Sequence, residues 1–181
     1  MLTLITGGIR SGKSRYALEL AQQMAVNGPK CFIATAEPLD EEMKIRIVRH
    51  KQERGQDFIT IEEPLHLAET IEKAQKEYGL LLIDCLTLWT NNLLYHFSDE
   101  PFRIRQEIKK FTDTVSAKKT EMIFVTNEIG LGLIPENPLS RRYVDELGNL
   151  NQSIARISDE VIFMVSGIPT QIKALRLMPQ D

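Results

Sequence analysis

Eight residues near the N-terminus have the types and spacing of a phosphate-binding loop. They follow a short apolar run, match the pattern G-x-x-x-x-G-K-[ST], and read Gly7-Gly8-Ile9-Arg10-Ser11-Gly12-Lys13-Ser14. In such a loop the backbone N–H groups turn inward and hold the phosphates of a nucleotide. Lys13 would place a positive charge beside the β- and γ-phosphates, and the Ser14 hydroxyl would bind Mg²⁺. A glycine-rich turn that matches by chance is the alternative, but the strand pattern before the loop and the helix pattern after it favour a nucleoside triphosphate site.

A carboxylate for the metal is expected from another strand, and Asp84 has the sequence context for it. The apolar run 80–83 ends in this acid, a pattern that brings a carboxylate to Mg²⁺ directly or through water. An acid that simply meets solvent is the alternative, yet ligands of parallel sheets collect at the carboxyl ends of strands. Another predicted strand ends in Thr126-Asn127-Glu128, where Glu128 either orients a water or substrate hydroxyl or caps the next turn.

One histidine lies on a predicted basic helix and could do a different chemistry. Residues 39–54 read as a helix capped by Asp40, with Met43, Ile47, His50 and Arg54 on one face. A neutral imidazole can attack an α-phosphate and hold the nucleotidyl group as a phosphoramidate. The flanking basic residues would stabilise the phosphate charge, and they are Arg46, Arg49, Lys51 and Arg54. From the pattern alone, a solvent-exposed helix face is the better explanation of His50.

The elements that must position these residues alternate along the chain. Apolar runs predict strands at 2–6, 30–34, 57–62, 80–84, 121–126 and 160–165. Helical patterns lie between them at 13–26, 40–53, 65–77, about 88–97, 101–118 and 138–158. The last helix has the clearest apolar stripe, and Asn137-Pro138 supplies its N-cap and first position. This alternation predicts an α/β fold of the P-loop NTPase type, with a mostly parallel central sheet flanked by helices.

Composition limits the classes of protein that are possible. With 181 residues, 43% of them apolar and 26% charged, we expect a single P-loop nucleotide-binding domain over 1–181, its tail after about 173 loosely held. A net charge of −3 argues against a nucleic-acid surface, and no apolar run approaches the roughly 20 residues of a membrane span. The first strand begins at once, which leaves no room for a signal peptide. Cys31 and Cys85 read as small core residues in a reducing compartment, so we expect a cytoplasmic protein, and their spacing does not suggest a zinc site. His66 and His96 read as structural residues.

Four segments in this order resemble one enzyme family. They are TGGIRSGKSRYA at 6–17, IATAEPLDEEMKIRIVRHKQER at 33–54, LLLIDCLT at 80–87 with Asn92-Leu93-Leu94, and VTNEIGLGLIPENPLSRRYVDELGNLNQ at 125–152. Together they resemble the bifunctional adenosylcobinamide kinase/adenosylcobinamide-phosphate guanylyltransferase of cobalamin biosynthesis. The resemblance runs from Thr3 to about Lys173, and the segments around His50 and Glu128 are far more diagnostic than the phosphate loop.

The resemblance implies two reactions on one chain. Enzymes of this family phosphorylate the aminopropanol hydroxyl of adenosylcobinamide with ATP or GTP. They then transfer GMP from GTP to that phosphate, which gives adenosylcobinamide-GDP and pyrophosphate. The second step passes through a GMP-histidine intermediate, and His50 stands at the matching place. Some relatives carry two adjacent histidines there, whereas this chain has Arg49-His50.

The resemblance also implies a set of nucleotide contacts, a metal and an assembly. The matching contacts are Gly7 to Ser14, Ala34, Thr35, Ala36, Lys51, Gln52, Glu53, Arg54, Glu62 and Asp84. Glu62 could accept hydrogen bonds from the guanine edge, or it is an exposed acid at a strand end. Mg²⁺ would lie on Ser14 and Asp84, and a homotrimer with its site near the subunit boundaries is expected. We hypothesise that the helix around His50 moves between the two half-reactions.

Two other functions compete with this interpretation. One is a small-molecule P-loop kinase without nucleotidyl transfer, in which His50 lies at the surface. The other is a non-catalytic nucleotide switch, although the chain lacks the N-K-x-D motif of regulatory GTPases. By position, candidates for contacting the corrin ring are Thr87, Trp89, Asn92 and the segment 129–142, with Trp89 equally suited to the core.

Overall fold

The chain folds around one seven-stranded sheet. The computed structural model describes residues 1–38, 40–53, 57–132 and 134–174, without the side chains of Arg46, Arg49, His50, Gln52 and Glu53. The described strands are β1 (Leu2–Gly7), β2 (Lys30–Ala34), β3 (Phe58–Glu62), β4 (Leu80–Asp84), β5 (Glu121–Val125), β6 (Glu160–Val165) and β7 (Ile168–Lys173). Their order across the sheet is β3-β2-β4-β5-β1-β6-β7. Strands β1 to β6 pair in parallel, and β7 pairs antiparallel to β6.

Helices cover both faces of this sheet. The described helices are α1 (Lys13–Gln23), α2 (Glu41–Glu53), α3 (Leu67–Ala74), α4 (Leu86–His96), α5 (Pro101–Ser116) and α6 (Pro138–Ile157). Helices α3 to α6 pack in one apolar cluster on one face, while α1 packs in a second cluster on the other. Among the described residues, no helix has the length and apolar character required to span a bilayer.

Local sequence signals explain why these elements form where they do. Strand β1 is buried along its whole length, as expected of a central parallel strand covered on both faces. The Asn137 side chain accepts hydrogen bonds from the N–H groups of Leu139 and Ser140, at 2.8 and 3.3 Å, so it is the N-cap of α6. The apolar stripe of that helix contributes Leu147, Leu150 and Ile154 to the core.

Each predicted strand and helix is present, and the α/β fold with a mostly parallel sheet is confirmed. The sequence analysis missed β7, which lies at the edge of the sheet and has every residue from 168 to 172 exposed. Ser166 and Gly167 form the turn from β6 to β7 with φ angles of 51° and 83°. Two successive positive φ angles are typical of the two-residue hairpin turns that match strand twist. The tail after 173 that we expected to be loosely held lies outside the described residues from 175 onwards.

Candidate active site

The phosphate loop has the backbone that its glycines suggest. It connects the end of β1 at Gly7 to the start of α1 at Lys13. Gly7 has a φ of 149°, and a Cβ there would lie 2.4 Å from the backbone oxygen of Met164, so only glycine fits. Gly12 precedes the helix with a φ of 91°. The helix therefore begins with its free N–H groups and the positive end of its dipole at the loop.

Lys13 is folded back onto the loop itself. Its Nζ donates to the backbone oxygen of Gly8 at 2.6 Å and lies 3.4 Å from Ser11 Oγ. Burial lowers the pKa of Lys13 because it disfavours the cation, while the negative charge of Asp84 opposes this effect. The ammonium thus lies in a partly desolvated place beside the Asp84 carboxylate, and an incoming phosphate can replace the Gly8 carbonyl as its partner.

The turn between β6 and β7 supports the loop from outside. The Gly167 N–H donates a 3.0 Å hydrogen bond to the backbone oxygen of Ser11. A Cβ on Gly12 would lie 3.3 Å from the Cα of Gly167, so the two backbones are in close approach. Since these residues are more than 150 positions apart, only the pairing of β6 with β1 brings them together.

Asp84 is held at the rim of the sheet by Thr35. The Thr35 N–H donates to the backbone oxygen of Asp84 at 3.2 Å. The Thr35 hydroxyl donates to the Cys85 oxygen at 2.8 Å and accepts from the Cys85 N–H at 2.9 Å. Thr35 itself is fully buried, and its own carbonyl accepts from Asn92 Nδ2 at 2.7 Å. Thr35 therefore holds the backbone at Asp84 and Cys85 in place and does not itself face the cavity.

A cavity of about 700 Å³ joins the loop, the strand ends and helix α2. Of the residues expected to bind nucleotide, the cavity wall includes Ile9, Arg10, Ser11, Gly12, Lys13, Ser14, Ala34, Ala36, Lys51, Glu62 and Asp84. Gly7, Gly8 and Thr35 do not line it. The backbone of α2 is described at His50, Gln52 and Glu53 but their side chains are not, and Arg54 lies outside the described residues. Most of the expected contacts thus meet around one space large enough for a nucleotide.

Helix α2 forms one wall of this cavity. The Asp40 side chain accepts a 2.7 Å hydrogen bond from the Met43 N–H, which confirms its role as a cap. Met43, Ile47 and Lys51 all line the cavity, so this face of α2 points toward the phosphate loop and the strand ends. At its far end Lys51 forms an ion pair with Glu62 of β3. Both side chains are about half exposed, at 48% and 59%, so the pair contributes at most about 1 kcal/mol to the free energy of unfolding.

The wall also contains residues that are not among the expected nucleotide contacts. Cys85, Thr87 and Asn127 line the cavity, so Cys85 is not only a core residue. Burial, reinforced by the charge of Asp84, raises the pKa of the Cys85 thiol to about 12, so the group stays a thiol at neutral pH and is no nucleophile. Glu128 does not line the cavity; its carboxylate accepts from the Gly130 N–H at 3.4 Å, which agrees with a cap of the next turn.

Two candidates for contacting a corrin ring are part of the scaffold instead. Trp89 is fully buried, and its indole N–H donates to the Leu65 oxygen at 2.8 Å. Asn92 is buried and donates to the carbonyls of Thr35 and Pro64. Thr87 lines the cavity, and the segment 129–142 is largely exposed, with Leu133 outside the described residues.

The other two histidines lie away from the phosphate loop. His96, at the end of α4, contacts the carboxylate of Glu37 at 3.0 Å. His66 precedes α3, and its ring lies near Glu69 and Glu107. Glu69 forms an ion pair with Lys110.

Comparison with known proteins gives a consistent match over most of the chain. The family model described as CobU, cobinamide kinase / cobinamide phosphate guanyltransferase, matches residues 3–172. A relative from Pseudomonas aeruginosa, the bifunctional adenosylcobalamin biosynthesis protein CobP, is 44% identical over 96% of this chain and 98% of its own length. The bifunctional adenosylcobalamin biosynthesis proteins CobU of Escherichia coli and Salmonella typhimurium are 34% and 35% identical, over 96% of this chain and all of theirs.

A solved structure supports the fold independently. The flagellar accessory protein FlaH from Methanocaldococcus jannaschii superposes with a TM-score of 0.52 at 13% identity. The match covers 96% of this chain and 78% of that one. At this identity the likeness concerns the arrangement of sheet and helices alone.

Proposed function

The chain belongs to the cobinamide kinase / cobinamide phosphate guanyltransferase family, and we propose that it carries out both reactions in the one cavity described above. It is an enzyme of adenosylcobalamin biosynthesis, like its bifunctional relatives. The observation that carries the proposal is that the phosphate loop, Asp84 and one face of α2 line the same 700 Å³ space. A nucleotide held there has its γ-phosphate at the loop and its α-phosphate farther out, so two different phosphorus atoms are accessible.

In the first reaction, the aminopropanol hydroxyl of adenosylcobinamide attacks the γ-phosphorus of ATP or GTP. A new O–P bond forms, the bond from the γ-phosphorus to the β–γ bridging oxygen breaks, and the nucleoside diphosphate leaves while the hydroxyl proton passes to solvent. Lys13 offsets the charge that develops on the phosphoryl oxygens. The free N–H groups of the loop and of the start of α1 hold the phosphates through this change.

Mg²⁺ fits the oxygen ligands that this end of the cavity offers. Ser14 and Asp84 both line the cavity, one with a hydroxyl and one with a carboxylate, and hard divalent cations prefer such oxygens. When bound, the ion would offset phosphate charge and orient the β- and γ-phosphates. The residues of this chain do the remaining work, since Lys13 and the loop hold the phosphates and Thr35 holds the Asp84 backbone.

In the second reaction, we assign the nucleophile to His50. An imidazole nitrogen attacks the α-phosphorus of GTP, pyrophosphate leaves, and a GMP-histidine forms. The phosphate of adenosylcobinamide phosphate then attacks the same phosphorus, the N–P bond breaks, and adenosylcobinamide-GDP is released. The position of His50 between Ile47 and Lys51, both on the cavity wall, supports this role. Movement of α2 between the two reactions follows from the need to reach a different phosphorus atom.

Glu62 and Lys51 are proposed to hold the guanine end of GTP. A carboxylate can accept from guanine N1–H and the exocyclic amine together, and Glu62 lines the cavity at the end of β3. Glu62 is paired with Lys51, so guanine would replace or rearrange that exposed contact. Gln52, Glu53 and Arg54 are further proposed nucleotide contacts, and they rest on the family resemblance.

The assembly and location remain expectations based on the family resemblance. We propose a homotrimer in the cytoplasm that acts on small molecules and does not bind nucleic acid. The net charge of −3 supports the last point.

A covalent-labelling experiment tests the proposal. The protein is incubated with α-³²P-GTP and Mg²⁺, denatured, and treated with acid or alkali, alongside the variant His50→Ala. A label that survives alkali, is lost in acid and is absent from His50→Ala supports a phosphoramidate at His50. If GTP binds but no label forms, the guanylyl step through His50 is wrong, and a kinase assay with adenosylcobinamide then decides whether the first reaction remains.

A further inference from the structure

A ring of buried side chains holds the peptide of one residue on the cavity wall. The Asn127 N–H donates to Thr87 Oγ1 at 2.7 Å, and Asn151 Nδ2 donates to the Asn127 oxygen at 3.0 Å. Between these bonds, Thr126 Oγ1 donates to Asn151 Oδ1 at 2.8 Å and lies 3.5 Å from Thr87 Oγ1. The side chains of Thr87, Thr126 and Asn151 are at most 7% exposed.

The direction of each hydrogen bond in this ring follows from counting protons. The Thr126 hydroxyl has one proton and uses it on Asn151, so in the longer contact with Thr87 it can only accept. Thr87 therefore donates toward Thr126 while it accepts from Asn127. The Thr87 carbonyl accepts a further bond from the Tyr143 hydroxyl at 3.1 Å. Burying a polar group without a hydrogen-bond partner costs free energy. The hydrogen bonds of this ring satisfy its buried side chains and at the same time hold both the N–H and the carbonyl of Asn127.

The ring uses the main-chain groups of Asn127 but not its side chain. Within the described part of the chain, the carboxamide of Asn127 has no hydrogen-bond partner, although the residue lines the cavity. Strand β5 lies between β1 and β4, so the segment Thr126-Asn127 that follows it emerges between the phosphate loop and Asp84. The next residue ties this segment to the loop, because the Glu128 N–H donates to the Gly7 oxygen at 3.0 Å.

We propose that the Asn127 carboxamide donates a hydrogen bond to the phosphoryl group during transfer to the cobinamide hydroxyl, and that Thr87 is a positioning residue that aims it. This inference rests on the kinase reaction proposed above. A neutral donor held at fixed geometry stabilises the charge that develops on phosphoryl oxygens without having to reorganise. Asn127 is therefore a catalytic residue of the first reaction, whereas Thr87 acts through the Asn127 peptide.

The test compares Asn127→Ala, Asn127→Asp and Thr87→Val with the matched control Thr90→Val. Thr90 is also buried on α4, and among the described residues its hydroxyl bonds only the Leu86 carbonyl of the same helix, at 2.9 Å. Three quantities are measured for each protein. They are the kcat of adenosylcobinamide phosphorylation, the Kd of the nucleotide, and the rate of labelling by α-³²P-GTP.

We expect Asn127→Ala to lower the kinase kcat by about 100-fold, since one preorganised donor is lost, with nucleotide Kd and labelling rate changed by less than about threefold. Asn127→Asp should be worse still, because it places a negative charge beside the phosphoryl oxygens. Thr90→Val should leave the kinase kcat within about twofold of the wild type. A kinase kcat for Asn127→Ala within about twofold of the wild type would overturn the role of Asn127.

A double variant separates positioning from a merely structural role. Thr87→Val alone should lower the kinase kcat by about tenfold, but in the Asn127→Ala background it should lower it by less than about twofold, because the group that it aims is gone. Additive losses in the double variant would show that Thr87 does not act through Asn127. A wild type that binds nucleotide but does not phosphorylate adenosylcobinamide would instead contradict the proposed kinase function.

Discussion

Exchange of Gly167 for alanine tests whether the β6–β7 turn supports the phosphate loop. Gly167 has a φ of 83°, where a side chain is strained, although a Cβ there would meet no atom within 4 Å. The cost of Gly167→Ala is therefore a backbone cost of about 1 kcal/mol rather than a clash. Because the Gly167 N–H holds the Ser11 carbonyl, any relief of this strain by moving the turn also displaces the loop.

Gly148 offers a matched control with the opposite sign. It lies inside α6, and a Cβ there would also meet no atom within 4 Å. Gly148→Ala should stabilise the protein by about 1 kcal/mol, since alanine is the better helix former. The two variants make the same chemical change, but one should lose about 1 kcal/mol of stability and the other should gain about as much. Their free energies of unfolding should therefore differ by about 2 kcal/mol. Asn tolerates positive φ, and Gly167→Asn should therefore lose less than Gly167→Ala.

The assay is urea unfolding followed by fluorescence, together with titration of the nucleotide. We expect Gly167→Ala to lower the unfolding midpoint and to raise the nucleotide Kd by about three- to tenfold, whereas Gly148→Ala raises the midpoint and leaves Kd unchanged. If both variants shifted the midpoint in the same direction, the backbone argument at Gly167 would be refuted. If Gly167→Ala lost stability but kept its Kd, the turn would support the fold and not the loop.

Two further predictions concern charged groups. Glu62→Gln should raise the Kd for GTP by about tenfold more than the Kd for ATP, because only guanine needs the carboxylate. It should change the free energy of unfolding by less than about 1 kcal/mol, since the pair with Lys51 is exposed. Equal effects on the Kd of both nucleotides would contradict a guanine contact. Burial raises the pKa of Asp159, but hydrogen bonds from Lys118 and the Leu2 N–H outweigh this and lower it overall. A lowered pKa in the folded state means that the ionised group contributes stability above its unfolded pKa of about 3.9 and loses it as pH falls through the folded value. Asp159→Asn should therefore be less stable than the wild type at neutral pH, with a difference that shrinks on acidification below about pH 4; a difference independent of pH would refute this origin.

The parts of the protein that depend on neighbouring residues in the chain could be predicted. The phosphate loop needs its glycines, Lys13 and Ser14 at fixed spacing, and the central parallel strands β1 and β4 are rich in apolar residues because both faces are covered. Asn137 and Asp40 cap helices through bonds to N–H groups two or three residues away, so they too can be recognised locally. Family membership follows in the same way, from motifs that are short and ordered. The role of His50 stays a prediction.

Strand β7 shows where local patterns fail. Its residues are exposed, one of them is a proline, and it pairs along only one edge, so no apolar alternation marks it. The location of Glu128 also could not be decided, because a carboxylate after a strand can either cap a turn or face a ligand. Trp89 and Asn92 were candidates for a ligand contact by position, and only their burial and their backbone partners show that they belong to the scaffold.

By itself, the sequence determined that the chain folds as a mostly parallel α/β sheet and belongs to its family, and it predicts a phosphate site at the N-terminal loop, because each of these depends on residue types at short range. Only the tertiary structure decided which distant residues share the cavity. Asn127 is 40 positions from Thr87 and 24 positions from Asn151, yet the three residues belong to one hydrogen-bonded ring. The crossover connections place β5 between β1 and β4, and no local pattern encodes that order. The physical reason is that hydrogen bonds and burial at the rim of a sheet depend on which strands are neighbours, a property of the whole fold.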